Sequence, residues 1–365
     1  MRAATVNRAA TLGRLADDYE KILPKRPKLR GSGALSATHL TNEMNALRAA
    51  IADMDAASLP AAELTAADVR RMLATHGDRP GAGRNRFGAL SRFLDWAADD
   101  ERIPANPCTK LARAHRPRAP AARSHSLQPA ALGRLWLALE SLAPLRRDFV
   151  RFLIAVPCRR GEAAKLDWRH LDLAGAIWWQ SDKMTKNQEP HRFHLHTLAR
   201  TLLTERHEAA GRPRTGLVFP APGGRGPNRE PALRPTAGRR SGTGPEAGAP
   251  PAKLARGAKP LSTWRSIKQE ADAASGLAGW TFHDMRRSFV TCLGEAQIPE
   301  AIADAILNHR QSATRGGVMG RYQLAVRWPE QQDAMNKWGG ILAAAIAAAE
   351  AETGTGVSRL GDAAQ

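Results

Sequence analysis

Tyrosine is nearly absent from this chain: positions 19 and 322 carry the only two among 365 residues. Any chemistry that needs a phenol therefore rests on one of two side chains. Cysteine is almost as scarce. Cys108, Cys158 and Cys292 form no CxxC pair and are odd in number, which argues against a disulfide framework or a thiolate zinc ribbon and for a reducing compartment. Long apolar runs are missing as well. The longest, Ile341 to Ala349, is nine residues and mostly alanine, far short of the roughly 20 that span a bilayer. The first residues carry arginines and then Asp17, Asp18 and Glu20 without an apolar stretch. No signal peptide is read there, and the expected location is the cytoplasm.

Cofactor signatures are lacking too. Gly81-Ala82-Gly83 and Gly223-Gly224 have neither GxGxxG nor Walker spacing, so no nucleotide cofactor is expected. His191, His194 and His196 divide between the two faces of an extended segment and cannot converge on one ion without distortion. The expected metal content is none.

Acidic residues are the last shortage. Against 54 Lys and Arg stand 35 Asp and Glu, a net charge of +19. Such an excess predicts a polyanionic partner, because each neutralised phosphate releases condensed counterions. Nucleic acid leads; an acidic membrane surface is the weaker alternative, given the missing spans.

Apolar periodicity gives the organisation. Leu12, Leu15, Ala16, Tyr19 and Leu23 recur at helical spacing, as do Phe87, Leu90, Phe93, Leu94 and Ala97, so residues 1–117 read as a helical domain. The second helix should stop before Pro104 and Pro107. Arg84, Arg86 and Arg92 on that helix either face phosphate or form a solvated polar face. From Lys110 to Arg123 there are basic residues, including Arg113, Arg116 and Arg118, and no acid. Residues 118–128 read as a basic linker, lying along DNA or serving as a tether.

A second domain is expected over 129–345, mainly α with a small β-sheet. Helices are read near Leu132–Leu139, from Leu145, over Thr197–Ala210 and over Leu261–Ala274. Short strands at Ala176–Trp179 and Arg192–Leu195 flank a polar turn. Within 221–260, Gly and Pro dominate, with eight basic residues against two acidic, the composition of a loosely held insertion. An alanine-rich helix beyond Gly339-Gly340 leads to a polar tail, 346–365. That helix either packs on its own core or reaches a neighbouring subunit.

Three segments carry the chemistry: Arg159-Arg160-Gly161-Glu162, His283-Asp284-Met285-Arg286, and Leu307-Asn308-His309 with Tyr322 thirteen residues further on. Lys186 lies between the first two. Two guanidinium forks can clamp the non-bridging oxygens of one phosphate. A phenol can be a covalent nucleophile, and His or Lys can move protons. His283 and Arg286, three apart, share one helix face.

This pattern resembles the tyrosine recombinases, the phage-integrase family of DNA strand-exchange enzymes. The likeness is strong over 145–325, weak over 10–110 and slight over 221–260. Pro157-Cys158 stands where the family more often has Gly-Leu, Met285 where it has Leu, and Asn308 where it has Gly; Asn tolerates the left-handed backbone.

The resemblance implies a two-domain, C-shaped clamp on double-stranded DNA, with a helical core-binding domain and an α+β catalytic domain. Tyr322 would attack a backbone phosphate to give a 3′-phosphotyrosyl link, with Tyr19 its only rival. Arg159 and Arg286 would neutralise the phosphate. Lys186 or His309 would protonate the leaving 5′ oxygen, with Lys183 as a competitor for Lys186, and His283 would assist proton transfer. Glu162 would orient the site or support its helix. Two rounds of exchange through a Holliday junction need no ATP and no metal. The implied partners are a homotetramer on paired sites and accessory DNA-bending or directionality proteins. A type IB topoisomerase and a catalytically inactive DNA-binding protein are the alternatives.

Overall fold

The computed structural model describes residues 10–26, 34–118, 124–182, 184–185, 189–222, 258–308 and 327–361. These are mostly helical, with one small three-stranded antiparallel sheet among them. The chain divides into two units, Met1–Arg123 and Ser124–Gln365.

In the first unit, α1 (Leu12–Ile22), α2 (Ala37–Asp53), α3 (Ala66–Ala74) and α4 (Pro80–Asp99) enclose one apolar core. Their starts are written locally. The Thr11 hydroxyl accepts the Arg14 N–H, Ser36 accepts that of His39, and Thr65 with Asp68 forms a capping box, each satisfying orphan donors of a first turn. Proline opens α4, where no N–H is needed. Leu12, Leu15, Ala16 and Tyr19 of α1 are buried, as are Phe93, Leu94 and Ala97 of α4. The Tyr19 ring lies 5.5 Å from Phe93 and 5.2 Å from Trp96. After α4, the buried Asn106 side chain accepts the Cys108 N–H and donates to Asp95 and to the Ser91 carbonyl. That knot explains the Asn-Pro pair after the helix.

The second unit runs α5 (Pro129–Ala138), α6 (Pro144–Ala155), α7 (Arg160–Ala164), β1 (Leu171–Asp172), β2 (Ile177–Gln180), β3 (His191–His194), α8 (Thr197–Ala209), α9 (Trp264–Ser275), α10 (Phe282–Glu295), α11 (Glu300–Ile306) and α12 (Trp328–Gly361). Strand order is β1-β2-β3, all antiparallel. Trp178 pairs with Phe193 in register and the rings stack 5.1 Å apart, both buried. Of the expected insertion 221–260, residues 223–257 lie outside the described residues. Its two ends meet: Pro220 and Pro260 form an antiparallel bridge, and the Ala221 N–H donates to the Lys259 carbonyl at 2.8 Å.

The C-terminal helix corrects the sequence reading. No separate helix begins after Gly339-Gly340; α12 runs through both glycines and continues past 346, where a polar tail was expected, to Gly361. Trp338, Leu342, Ala345 and Ala349 are buried within the unit, the packing role of the two alternatives. Gly339 permits a close approach instead of ending the helix. A Cβ on Gly339 would sit 2.6 Å from Nδ1 of His196, and α12 crosses α5 where a Cβ on Gly133 would overlap the Ala345 carbonyl oxygen.

Two side chains then fix the end of α6. The Trp338 indole donates to the Ile154 and Ala155 carbonyls at 3.2 and 3.1 Å, and His196 Nε2 donates to the Ala155 carbonyl at 2.9 Å. Carbonyls of a last helical turn have no partner inside the helix, so these contacts hold the chain just before Pro157-Cys158-Arg159. Burial pushes the His196 pKa down to about 4.

Two outcomes follow from this packing. Gly133→Ala forces α5 and α12 apart and should lower unfolding stability by about 1–3 kcal/mol, the usual cost of overpacking, read by urea denaturation. His196 is held neutral, with its folded pKa below the ordinary value near 6.5. Its stabilisation is therefore complete above about pH 6.5 and lost as pH falls toward 4, the loss reaching on the order of 2–3 kcal/mol by pH 4.5. In His196→Asn the unfolding free energy should fall less between pH 7.5 and 4.5, with the difference measured by the same denaturation at both pH values.

Candidate active site

Arg159 sits immediately before α7 in extended backbone, as the N-cap residue. A short helix here needs a cap, and Glu162 supplies it: its Oε2 accepts the Arg159 N–H at 2.8 Å. The other oxygen, Oε1, accepts from Arg159 Nη1 at 2.7 Å. One carboxylate thus starts the helix and aims the guanidinium. The Glu162 side chain is 8% exposed and that of Arg159 28%, so the arginine keeps a face toward solvent.

Helix α10 begins at a second capping box. The Asp284 Oδ2 accepts the Thr281 N–H and hydroxyl at 2.8 and 2.9 Å, while its Oδ1 accepts from Arg287 at 3.1 Å. The Thr281-x-x-Asp284 spacing is visible in the sequence and would have marked this helix start. Asp284 therefore pairs with Arg287 and leaves its neighbours His283 and Arg286 to the site.

Arg286 is 3% exposed. Its Nη1 donates to the Pro157 carbonyl at 2.5 Å and its Nη2 to the Leu307 carbonyl at 3.0 Å. Burial, and then the charge of Arg159, lower its pKa to about 10, so it stays cationic at neutral pH. A buried guanidinium lowered in part by the charge of a second one describes a place for an anion. His283, three residues earlier and exposed, has its pKa lowered by partial burial and by the charges of Arg286 and Arg287. It is the neutral imidazole, able to accept a proton, that this setting favours.

The third segment arrives through α11. Leu307 ends that helix, and Asn308 follows at φ 51°, in the left-handed region that Asn tolerates. His191 Nε2 of β3 donates to the Ile306 carbonyl at 2.9 Å. His309, Tyr322, Lys183 and Lys186 lie outside the described residues. Thr185, beside Lys186, spans the β2–β3 turn, its hydroxyl meeting both the N–H and the carbonyl of Glu189.

A groove of about 1050 Å³ opens at Arg159, His283 and Arg286 and extends along α9 past Trp264, Arg265 and Lys268. None of its described lining residues is acidic. A smaller cavity of about 300 Å³ shares His283 and Arg286. The three histidines weighed as metal ligands go to separate acceptors: His191 to Ile306, His194 to Asn336 and His196 to Ala155.

Candidates in the first unit fare differently. Arg92 makes a bidentate pair with the buried Glu43, its Nε and Nη2 at 2.7 and 2.6 Å from the two carboxylate oxygens. Arg86 pairs with Asp53, which also holds His76. Both guanidinium groups therefore tie helices together, a role that neither alternative read from the sequence gave them. Arg116 turns back to the Leu111 and Thr109 carbonyls. Arg84, Arg113 and Arg118 are exposed. Tyr19, the rival phenol, is 1% exposed, accepts a hydrogen bond from Arg26, and has its pKa raised chiefly by burial, the reverse of activation.

The model of the Phage integrase family matches residues 127–316, more than half of the chain. The chain belongs to the phage integrase family. Solved integrases share its fold. A lambda integrase (residues 75–356) dimer bound to a COC′ core site is 19% identical, with TM-score 0.58 over 83% of this chain and 96% of that one. A lambda integrase tetramer bound to a Holliday junction is 18% identical, with TM-score 0.59 over 87% and 78%. The Tn1549 transposon integrase in complex with circular intermediate DNA is 13% identical, with TM-score 0.53 over 89% and 99%. Identities this low establish the integrase fold and no more. No curated protein sequence matches.

The double role of Glu162 is testable. Glu162→Ala removes the cap of α7 and should cost about 0.5–2 kcal/mol in urea unfolding. Glu162→Gln keeps an acceptor for the Arg159 N–H and should recover part of that loss.

Proposed function

We propose that this protein is a site-specific DNA recombinase that cuts and rejoins DNA through a 3′-phosphotyrosyl intermediate. The observation that carries the reading is the paired guanidinium groups of Arg159 and Arg286, with His283 beside them, at the mouth of a groove without acidic lining. Membership of the phage integrase family supports it.

In this reading the reacting phosphate lies between Arg159 and Arg286. Their charge stabilises the pentacoordinate transition state, because preorganised donors need not reorganise as negative charge develops. Tyr322 attacks phosphorus through its hydroxyl oxygen. The bond to the 5′ oxygen breaks, and Lys186 or His309 gives that oxygen a proton. His283, favoured as neutral imidazole, takes the phenol proton. The new tyrosyl ester keeps the phosphoester energy, so a 5′ hydroxyl from a partner strand can reverse the step. Two such rounds, the first forming a Holliday junction and the second resolving it, recombine the sites, with a homotetramer on paired sites as the working assembly.

Two measurements on a nicked suicide duplex test this. Tyr322→Phe should abolish the covalent protein–DNA adduct on a denaturing gel while duplex binding persists; an adduct that survives moves the nucleophile elsewhere. Arg159→Ala or Arg286→Ala should slow adduct formation by about 10²–10³, the usual loss on removing one oxyanion donor. Relaxation of supercoils without exchange of partner strands would favour a topoisomerase.

A further inference from the structure

Several cations around the groove are held by partners of their own. Glu162 holds Arg159, Asp284 holds Arg287, Asp272 holds Lys268, and two carbonyls hold Arg286. Arg160 and Arg265 line the same groove, are exposed and have no carboxylate partner among the described residues. Of these two, Arg160 is the one that rests on aromatic rings. Its guanidinium carbon lies 4.8 Å from the Trp264 ring centre and 5.9 Å from that of Phe282.

That platform orders the side chain without using its donors. A guanidinium resting on an aromatic ring presents its π face to the ring, and its N–H groups lie in its own plane, free for an oxyanion. Partial burial lowers the Arg160 pKa with no anion to offset it, a cost that a bound anion would relieve. The location fits such an anion. Arg160 directly follows Arg159, so the two side chains leave adjacent points of one backbone toward one groove. A single phosphate at Arg159 and Arg286 fills little of about 1050 Å³, and the rest of the groove runs on past Arg265 and Lys268.

We propose that Arg160, on its Trp264–Phe282 platform, binds the phosphate next to the reacting one, so that the groove along α9 carries the continuing DNA strand. The inference rests on the reading above, in which Arg159 and Arg286 hold the reacting phosphate.

The test is the salt dependence of binding by the full chain to a duplex of about 30 base pairs. Each phosphate contact adds about 0.9 to the slope of log K against log salt. Arg160→Ala should lower that slope by about 0.9 and weaken binding several-fold at about 0.1 M salt. Arg160→Gln removes the charge but keeps the aliphatic stem as far as Cδ and a planar polar end, so it should give the same loss of slope in a protein with unchanged melting. Arg160→Lys should restore the slope but not the full affinity, because an ammonium lacks the planar fork. Arg200→Ala, an exposed position of α8 outside the groove, removes the same charge and should leave the slope unchanged. An unaltered slope in both Arg160→Ala and Arg160→Gln overturns the inference, as does an equal loss in Arg200→Ala, which would mark general charge. Failure of the unsubstituted protein to bind duplex DNA would instead sink the recombinase reading itself.

Discussion

The site of this protein depends on one buried guanidinium. Arg286 leaves α10 and bonds the Pro157 carbonyl with one arm and the Leu307 carbonyl with another. Those residues are more than a hundred positions apart in sequence, and they flank the first and third motif segments. A planar fork with fixed donor directions can bridge two carbonyls at a set spacing, which an ammonium on a flexible stem cannot. The same side chain that brings the segments together supplies a positive charge, held at about pKa 10 by burial and by Arg159. Assembly and electrostatics are thus one feature.

The surroundings keep that bracket rigid. The end of α6 is capped by Trp338 and His196 from elements far along the chain, so the carbonyl of Pro157 has a defined place. Asn308 turns the backbone at φ 51° immediately after Leu307. His191 holds the Ile306 carbonyl from the strand that returns from the Lys186 turn. The β2–β3 hairpin is therefore joined to the segment that leads to His309 and Tyr322. On the other side, Glu162 keeps Arg159 from swinging into solvent. Acidic residues are present, but Glu162 and Asp284 bind arginines and helix starts, Asp272 binds Lys268, and none is among the described residues that line the groove.

Much of this was legible from spacing. Helices α5, α6, α8 and α9 lie within a few residues of where their apolar stripes put them. The strands around Trp178 and Phe193 were readable because short segments with bulky aromatic residues flank a polar turn there. The three-residue step from His283 to Arg286 placed both on one face of a helix, as found. What misled was glycine. Gly339-Gly340 reads as a helix end, yet both sit inside α12, and at 339 the packed His196 leaves no room for a side chain. Periodicity reports which face is apolar; it does not report how near another element comes. The arginines of α4 misled for a similar reason, since their partners Glu43 and Asp53 stand on a different helix.

By itself, the sequence determined the helical class, the division near residue 120, the cationic character and the identity of the motif residues, because these depend on composition and on neighbours a few positions apart. Only the tertiary structure decided which arginines face an open groove and which are consumed in packing. Arg92 and Arg160 look alike in sequence, each a basic residue on a helix. One meets a buried carboxylate 49 positions away, and the other lies on an indole with its donors unengaged by any described carboxylate. A charged side chain takes its role from the group that comes within about 3 Å of it, and that group is set by the fold and not by the neighbouring residues.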